Sequence, residues 1–204
     1  MRNKRVLFFA LTSAIFAGAF LYLATSEREQ KEFTSIDITG SEWGEPITFM
    51  TKDSQKVDLK NYNGKILALF FGYLSCPDFC PNHLNKMAIV KNKLPEKIRK
   101  IFSVLFISVD PNRDDVGNLK QYTTSFDPEF VGVVPDNIEL KNLIDNFKLV
   151  VNKTPVDNKN YLIDHYTYTY LFDPSSNLRL LIPFEVSTDD IVRDIKILAK
   201  DLSF

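Results

Sequence analysis

Phe70-Phe71-Gly72-Tyr73-Leu74-Ser75-Cys76-Pro77-Asp78-Phe79-Cys80-Pro81-Asn82-His83 is the stretch that decides how the rest of the chain is read. It holds both cysteines of the protein, in a CxxxC spacing one residue wider than the common redox CxxC. The apolar run Ile66 to Phe71 comes just before it, and the helix-spaced Leu84, Met87, Ala88 and Leu94 come just after. That order reads as a buried strand ending in a loop, with two thiols at the start of a helix.

Thiolates are soft ligands that select Cu(I), zinc or iron–sulfur. Residues i and i+4 of a helical turn project from one face, so both sulfurs can reach one ion. Two sulfurs fall short of a closed structural zinc site, which wants four ligands, so a third donor has to come from elsewhere. Two sulfurs with one imidazole nitrogen suit copper better than any hard ion. The same pair can close a disulfide, since one helical turn sets the Cα atoms about 6 Å apart. A helix N-terminus also lowers a thiol pKa, which favours either chemistry. The plainer readings are two small buried apolar groups or a structural disulfide, whose short loop constrains the unfolded chain little.

The chain has two histidines. His83 follows Cys80 by three residues and Cys76 by seven, so an ideal helix puts all three on one face. As an ordinary imidazole it is expected to be solvent-exposed on that helix. His165 lies in Ile163-Asp164-His165-Tyr166, where a hairpin strand begins, with Asp164 as a group to orient it. Asp78, Asp110 and Asp114 stand at loop positions, and Asp110-Pro111 and Asp114 read as loop and cap chemistry.

With 204 residues, 45% hydrophobic and 25% charged, the chain can bury one full core. Its net charge of −1 gives no support to nucleic-acid binding. Arg2, Lys4 and Arg5 precede the uncharged run Val6 to Ala24, 19 residues long, at the lower edge of what spans a bilayer. The basic flank predicts a cytoplasmic N-terminus and an exported body. A cleaved signal peptide cut near Ala17-Gly18-Ala19 is the rival, but the apolar run continues past that point, which favours a retained anchor. No cysteine lies near it, which excludes a lipoprotein. The expected organisation is an anchor over residues 1–24, a polar tether over 25–40 and one folded domain over 41–204.

Within that domain, residues 45–60 read as a hairpin turning at Lys52–Gln55, and Asn63-Gly64 turns into the strand Lys65 to Phe71. A helix from about Phe79 to Lys93, a buried strand Ile101 to Val109 and a helix around Val116 to Ser125 follow. Then come a short strand Phe130 to Val134 and a helix Glu139 to Phe147 capped by Asp136 or Asn137. Lys153 to Asn160 reads as a loop. Tyr166 to Phe172 and Leu178 to Phe184 form a second hairpin, and Tyr166, Tyr168 and Tyr170 alternate as in a half-buried sheet. A capping box at Ser187 to Asp190 opens the last helix, Ile191 to Leu202, whose Ile191, Ile195, Leu198 and Leu202 share a face. Strands alternating with helices, then a hairpin and a closing helix, predict an α/β sandwich with a mixed sheet.

Gly72 to Pro81 resembles the copper-site signature of the Sco/SenC proteins. The resemblance extends to Ser108-Val109-Asp110-Pro111-Asn112-Arg113-Asp114, to Tyr161-Leu162-Ile163-Asp164-His165 and to Leu171-Phe172-Asp173-Pro174. It spans about residues 43 to 202. It implies a thioredoxin-like sandwich, its mixed central sheet flanked by helices, behind an N-terminal transmembrane helix. It implies copper, Cu(I) or Cu(II), held by Cys76, Cys80 and His165. The implied role is a metallochaperone, not an enzyme, that serves the dinuclear copper centre of cytochrome c oxidase. Its partners would be the copper-bearing oxidase subunit and other copper chaperones. The implied location is the cytoplasmic (inner) membrane, single-pass, with the globular domain on the periplasmic side. His83 stands where the family commonly has an acidic or small polar residue. The alternative is a thiol–disulfide oxidoreductase in which Cys76 attacks and Cys80 resolves. In such proteins a cis-proline faces the cysteines, where this chain has Asp164-His165-Tyr166. A peroxidase of the peroxiredoxin type is weaker still, because the cysteine loop offers no Thr-x-x-Cys.

Overall fold

The fold is built on two adjacent runs whose side chains are buried on both faces. Ile66–Gly72 (β4) is buried at every position, and Phe102–Ser108 (β5) at all but Ser103. They pair in parallel, Ile66 opposite Phe102 through Gly72 opposite Ser108. Successive residues of a strand point to opposite faces. Ile66, Ala68 and Phe70 accordingly enter one apolar layer, while Leu67, Leu69 and Phe71 enter the other. A strand with two buried faces needs cover on both, which is why the run is continuously apolar.

The computed structural model describes residues 33–44, 48–156, 161–165 and 168–200, and only the backbone of His165. From Phe33 onward these form one unit. The main sheet has strand order β1-β10-β9-β4-β5-β6, with β1 Ile36–Asp37, β6 Val131–Val133, β9 Thr169–Phe172 and β10 Leu178–Ile182. β5 and β6 run parallel to β4, and β9 pairs antiparallel with it, so the sheet is mixed. Thr48–Met50 (β2) and Lys56–Asp58 (β3) form a separate antiparallel pair, as do Val151–Pro155 (β7) and Tyr161–His165 (β8).

Helices Phe79–Lys93 (α1), Val116–Phe126 (α3) and Thr188–Lys200 (α5) cover one face through Leu84, Met87, Leu119, Ile191, Ile195 and Leu198. Helix Asn137–Phe147 (α4), with the β2–β3 pair, covers the other through Leu140, Leu143, Phe147 and Phe49. This is the expected thioredoxin-like α/β sandwich. Local signals set the helix ends. The Asp136 carboxylate accepts the Ile138 and Glu139 N–H groups, and Ser187 and Asp190 bond each other's side chains at the start of α5. Helix α1 stops where Pro95 forces Leu94 into extended backbone.

Four features differ from expectation. The tether read over 25–40 already contains β1, which pairs with β10 through backbone bonds. Glu96–Arg99 forms an extra helical turn (α2). Lys153 to Pro155, read as loop, lies in β7, and Tyr161–His165 is a strand of its own, not the start of β9. Lastly, Asp194, on the inner side of α5, is fully buried, and its carboxylate accepts the Thr34 and Ser35 N–H groups at 3.0 and 2.9 Å. Among the described residues no helix is long and apolar enough to cross a membrane. The expected anchor over residues 1–24 lies outside the described residues.

Candidate metal centre

β4 delivers the chain to the cysteine loop at Gly72, and the packing there leaves no room for a larger residue. A Cβ on Gly72 would stand 2.6 Å from Phe106 Cζ and 2.8 Å from Cys80 Sγ. The loop is then tied down from below. The Leu74 N–H donates to both carboxylate oxygens of Asp114 at 3.3 and 3.2 Å, and the Cys76 N–H donates to the Tyr73 carbonyl at 3.2 Å. Helix α1 begins at Phe79, so Cys76 lies before the helix and Cys80 is its second residue. The two sulfurs therefore meet as loop and helix, with Asp78 at the N-cap between them, not as two positions on one helical face. Pro81 falls in the first turn, where the missing N–H costs no helical bond.

The two thiols occupy unlike surroundings. Cys76 is half-buried and Cys80 is fully buried, and both are free thiols. Cys76 Sγ receives the Cys80 backbone N–H at 3.4 Å. The thiol hydrogen bond from Cys80, aided by the N–H groups of Cys80, Asp78 and Phe79, lowers the Cys76 pKa to about 6 against the cost of burial. That same sulfur–sulfur bond, reinforced by burial and by the facing negative charge, pushes Cys80 far up. At neutral pH the pair thus holds one proton: Cys76 is a thiolate and Cys80 its donor. The helix N-terminus acts as expected on Cys76 and is overridden at Cys80.

His83 is buried, not exposed. Its ring stacks on Phe70 with centroids 4.2 Å apart, and Nε2 meets the Thr169 hydroxyl. Cys80 before it and Leu84, Met87 and Val90 after it are buried too, so the helical repeat itself marks this face as the inner one. His165 ends β8, opposite Val151 of β7, and its side chain lies outside the described residues. Asp164, read as a group to orient that histidine, is exposed and accepts the Thr154 hydroxyl at 2.8 Å. Among the described residues no cluster of three His, Cys, Asp or Glu could hold a metal ion. The described donors are the two sulfurs, and a soft ion is the one that this pair fits.

Three residues near the cysteines were missed or misread in the sequence. Asp114 is buried, accepts the Ser108 hydroxyl at 2.6 Å as well as the Leu74 N–H, and burial raises its pKa. It is a floor for the cysteine loop, and the cap of α3 is its neighbour Asp115. Asp110 is fully buried. Tyr73 projects its hydroxyl to accept the Ile163 N–H at 3.2 Å, which joins the cysteine loop to the strand that carries His165.

With the geometry in place, four likenesses bear on it. Residues 37–200 match the SCO1/SenC family model. Over 157 residues the chain is 32% identical to the mitochondrial SCO1 homolog 1 of Arabidopsis thaliana, covering 75% of this chain but 47% of that protein, about half its length. Over 155 residues it is 31% identical to an SCO2-like protein of Rickettsia prowazekii, covering 75% of each. The crystal structure of Arabidopsis thaliana ScoI with copper bound superposes with a TM-score of 0.72 at 29% identity, over 79% of this chain and all of that one. A family match across most of the chain, on this mixed sheet and with paired thiols just past the end of its interior strand β4, makes the chain a member of the SCO1/SenC family.

Proposed function

We propose that the chain is a copper-binding metallochaperone whose ligands are Cys76, Cys80 and His165, and that it delivers copper to the dinuclear copper centre of cytochrome c oxidase. The observation that carries this reading is the asymmetric thiol pair: the half-buried Cys76 Sγ receives the Cys80 N–H at 3.4 Å, which favours its thiolate, while the fully buried Cys80 is held protonated beside it. Such a pair can accept a soft monovalent ion at little electrostatic cost, because site and ion together approach neutrality. Copper in a related structure of the same fold supports it. Tyr73 and Asp114 hold the loop so that the sulfurs need not reorganise. Residues 1–24 act as the anchor and 25–40 lead into the body, which works outside the cytoplasmic membrane beside the copper-bearing oxidase subunit. The test is Cu(I) binding to the reduced full chain in detergent, by competition with a chromophoric chelator. One ion per chain is expected, and His165→Ala should weaken binding at least tenfold. If His165→Ala binds as tightly as the parent, the ligand set is wrong.

The same asymmetry favours a second reading, a thiol–disulfide oxidoreductase. The Cys76 thiolate attacks one sulfur of a partner disulfide and releases the other as a thiolate. Cys80 then loses its proton and attacks the Cys76 sulfur, so the partner gains two electrons and the chain is left with a disulfide. Exchange with a partner disulfide that survives intact in His165→Ala, with full function in cells, would decide for this reading.

A further inference from the structure

β8 is poorly supported by its own pair. β7 beside it is almost wholly exposed, Leu162 and Asp164 of β8 face solvent, and of the described β8 side chains Ile163 alone is buried. A lone two-stranded pair is marginal in water. What fixes it is a set of polar groups from elsewhere in the fold. Asp110, fully buried after β5, accepts the Tyr161 hydroxyl on Oδ1 at 2.6 Å and the Arg113 Nε–H on Oδ2. Arg113 Nη1 donates to the Tyr161 carbonyl at 2.8 Å, and its guanidinium lies over the Tyr161 ring at 3.6 Å. Tyr161 is thus gripped by hydroxyl, carbonyl and ring face at once. The chain of bonds continues inward. The Asp110 N–H donates to Ser108 Oγ at 3.0 Å, Ser108 donates to Asp114, and Asp114 accepts the Leu74 N–H of the cysteine loop. Two residues before His165, the Ile163 N–H is held by Tyr73 of that same loop.

We propose that Asp110, Arg113 and Tyr161, together with Tyr73, form a latch that holds the His165 strand in register with the cysteine loop, as positioning residues for the third copper ligand. The inference rests on the ligand set proposed above. The side chains of Asp110, Arg113 and Tyr161 bond each other and not the thiols; Tyr73, three residues before Cys76, meets the strand through its hydroxyl while its backbone bonds within the cysteine loop. Tyr161 stands four residues from His165, about 13 Å along a strand, so it acts by placing the strand. Both oxygens of a buried carboxylate are spent on it, and a buried charge left unpaired would be costly, so the latch is held closed by more than the pairing of β7 with β8.

The test is a double-mutant cycle read by Cu(I) affinity of the reduced full chain against a competing chelator. Tyr161→Phe keeps the ring over Arg113 and removes only the hydroxyl. Tyr73→Phe removes the hydroxyl that accepts the Ile163 N–H. Each should weaken Cu(I) binding about fivefold to tenfold in the parent, the range expected for one hydrogen bond of this kind. In a His165→Ala background each should change binding less than about twofold, since there is no ligand left to place. Nitrogen hyperfine coupling in the Cu(II) spectrum should weaken in the latch variants and vanish in His165→Ala. Equal losses in both backgrounds, or no loss in the parent, overturn the latch while leaving the ligand set intact. If His165→Ala itself leaves affinity unchanged, the ligand set fails and the latch falls with it.

Discussion

Loading the reduced protein with Cu(I) at about pH 7.5 should release about one proton, and not the two that a pair of ordinary thiols would give up. With its pKa near 6, Cys76 is almost wholly thiolate at that pH and contributes next to nothing. Cys80, pushed far up, contributes a whole proton. At about pH 6 the count changes in a readable way: Cys76 is then half protonated and gives about 0.5, and Cys80 still gives one, so the two thiols release about 1.5 protons. Since binding releases protons, affinity rises with pH, by about tenfold per unit above pH 7 and more steeply through pH 6. The measurement is titration calorimetry in buffers of differing ionisation enthalpy, with copper carried by a chelator whose own proton uptake is known. Two protons released at pH 7.5 would refute the shared-proton pair. A thiol proton count at pH 6 no higher than at pH 7.5 would refute the lowered Cys76 pKa.

Two perturbations further from the sulfurs test the packing beneath them. Gly72→Ala drives a methyl to 2.6 Å from Phe106, a ring buried too deeply to yield, and to 2.8 Å from Cys80 Sγ. It should cost about 1–3 kcal/mol in urea unfolding and displace the thiol pH profile, and a loss under about 0.5 kcal/mol would contradict the packing. Asp194→Ala removes the buried acceptor of the Thr34 and Ser35 N–H groups and should cost about 1–3 kcal/mol. Amide exchange at residues 34–37 should quicken with it, and unchanged protection there would show that β1 is held by β10 alone.

What could be read from the sequence was what burial writes into a local pattern. β4 and β5 are apolar at consecutive positions because helices cover one face and α4 with a strand pair the other, and α5 carries both its stripe and its capping box in the residues themselves. β1 could not be read, because two exposed residues that pair through backbone leave no side-chain signal. β7 and β8 were obscured for a related reason: their burial is confined to one face of β8, and Pro155 reads as a loop marker. The exposure assigned to His83 was an avoidable error, since Cys80, Met87 and Val90 repeat at the spacing of one face. At the site, the thiol pair was legible from two cysteines in one short motif. Asp110 and Asp114 were not, because what makes them important lies in distant partners: Tyr161 is 51 residues from Asp110, and Leu74 is 40 from Asp114.

The cysteine loop by itself does not choose between the two proposed chemistries. Disulfide exchange asks only that Cys80 reach Cys76, and the hydrogen bond between their sulfurs already supplies that approach. Copper in a three-donor site asks in addition for a nitrogen brought from far along the chain, on a strand that the main sheet does not include. The groups that tie down that strand are Asp110 and Arg113 of the loop after β5, set apart from the thiols in sequence, and the hydroxyl of Tyr73, whose backbone is part of the cysteine loop. Loosening Tyr161 therefore perturbs one chemistry and spares the other: the thiolate keeps its backbone donors at the start of α1 while the third ligand loses its placement. A variant that still exchanges disulfides at the parent rate but holds copper weakly would separate the carrier from the reductase within one fold. The biological role would then follow from which of the two losses the cell registers.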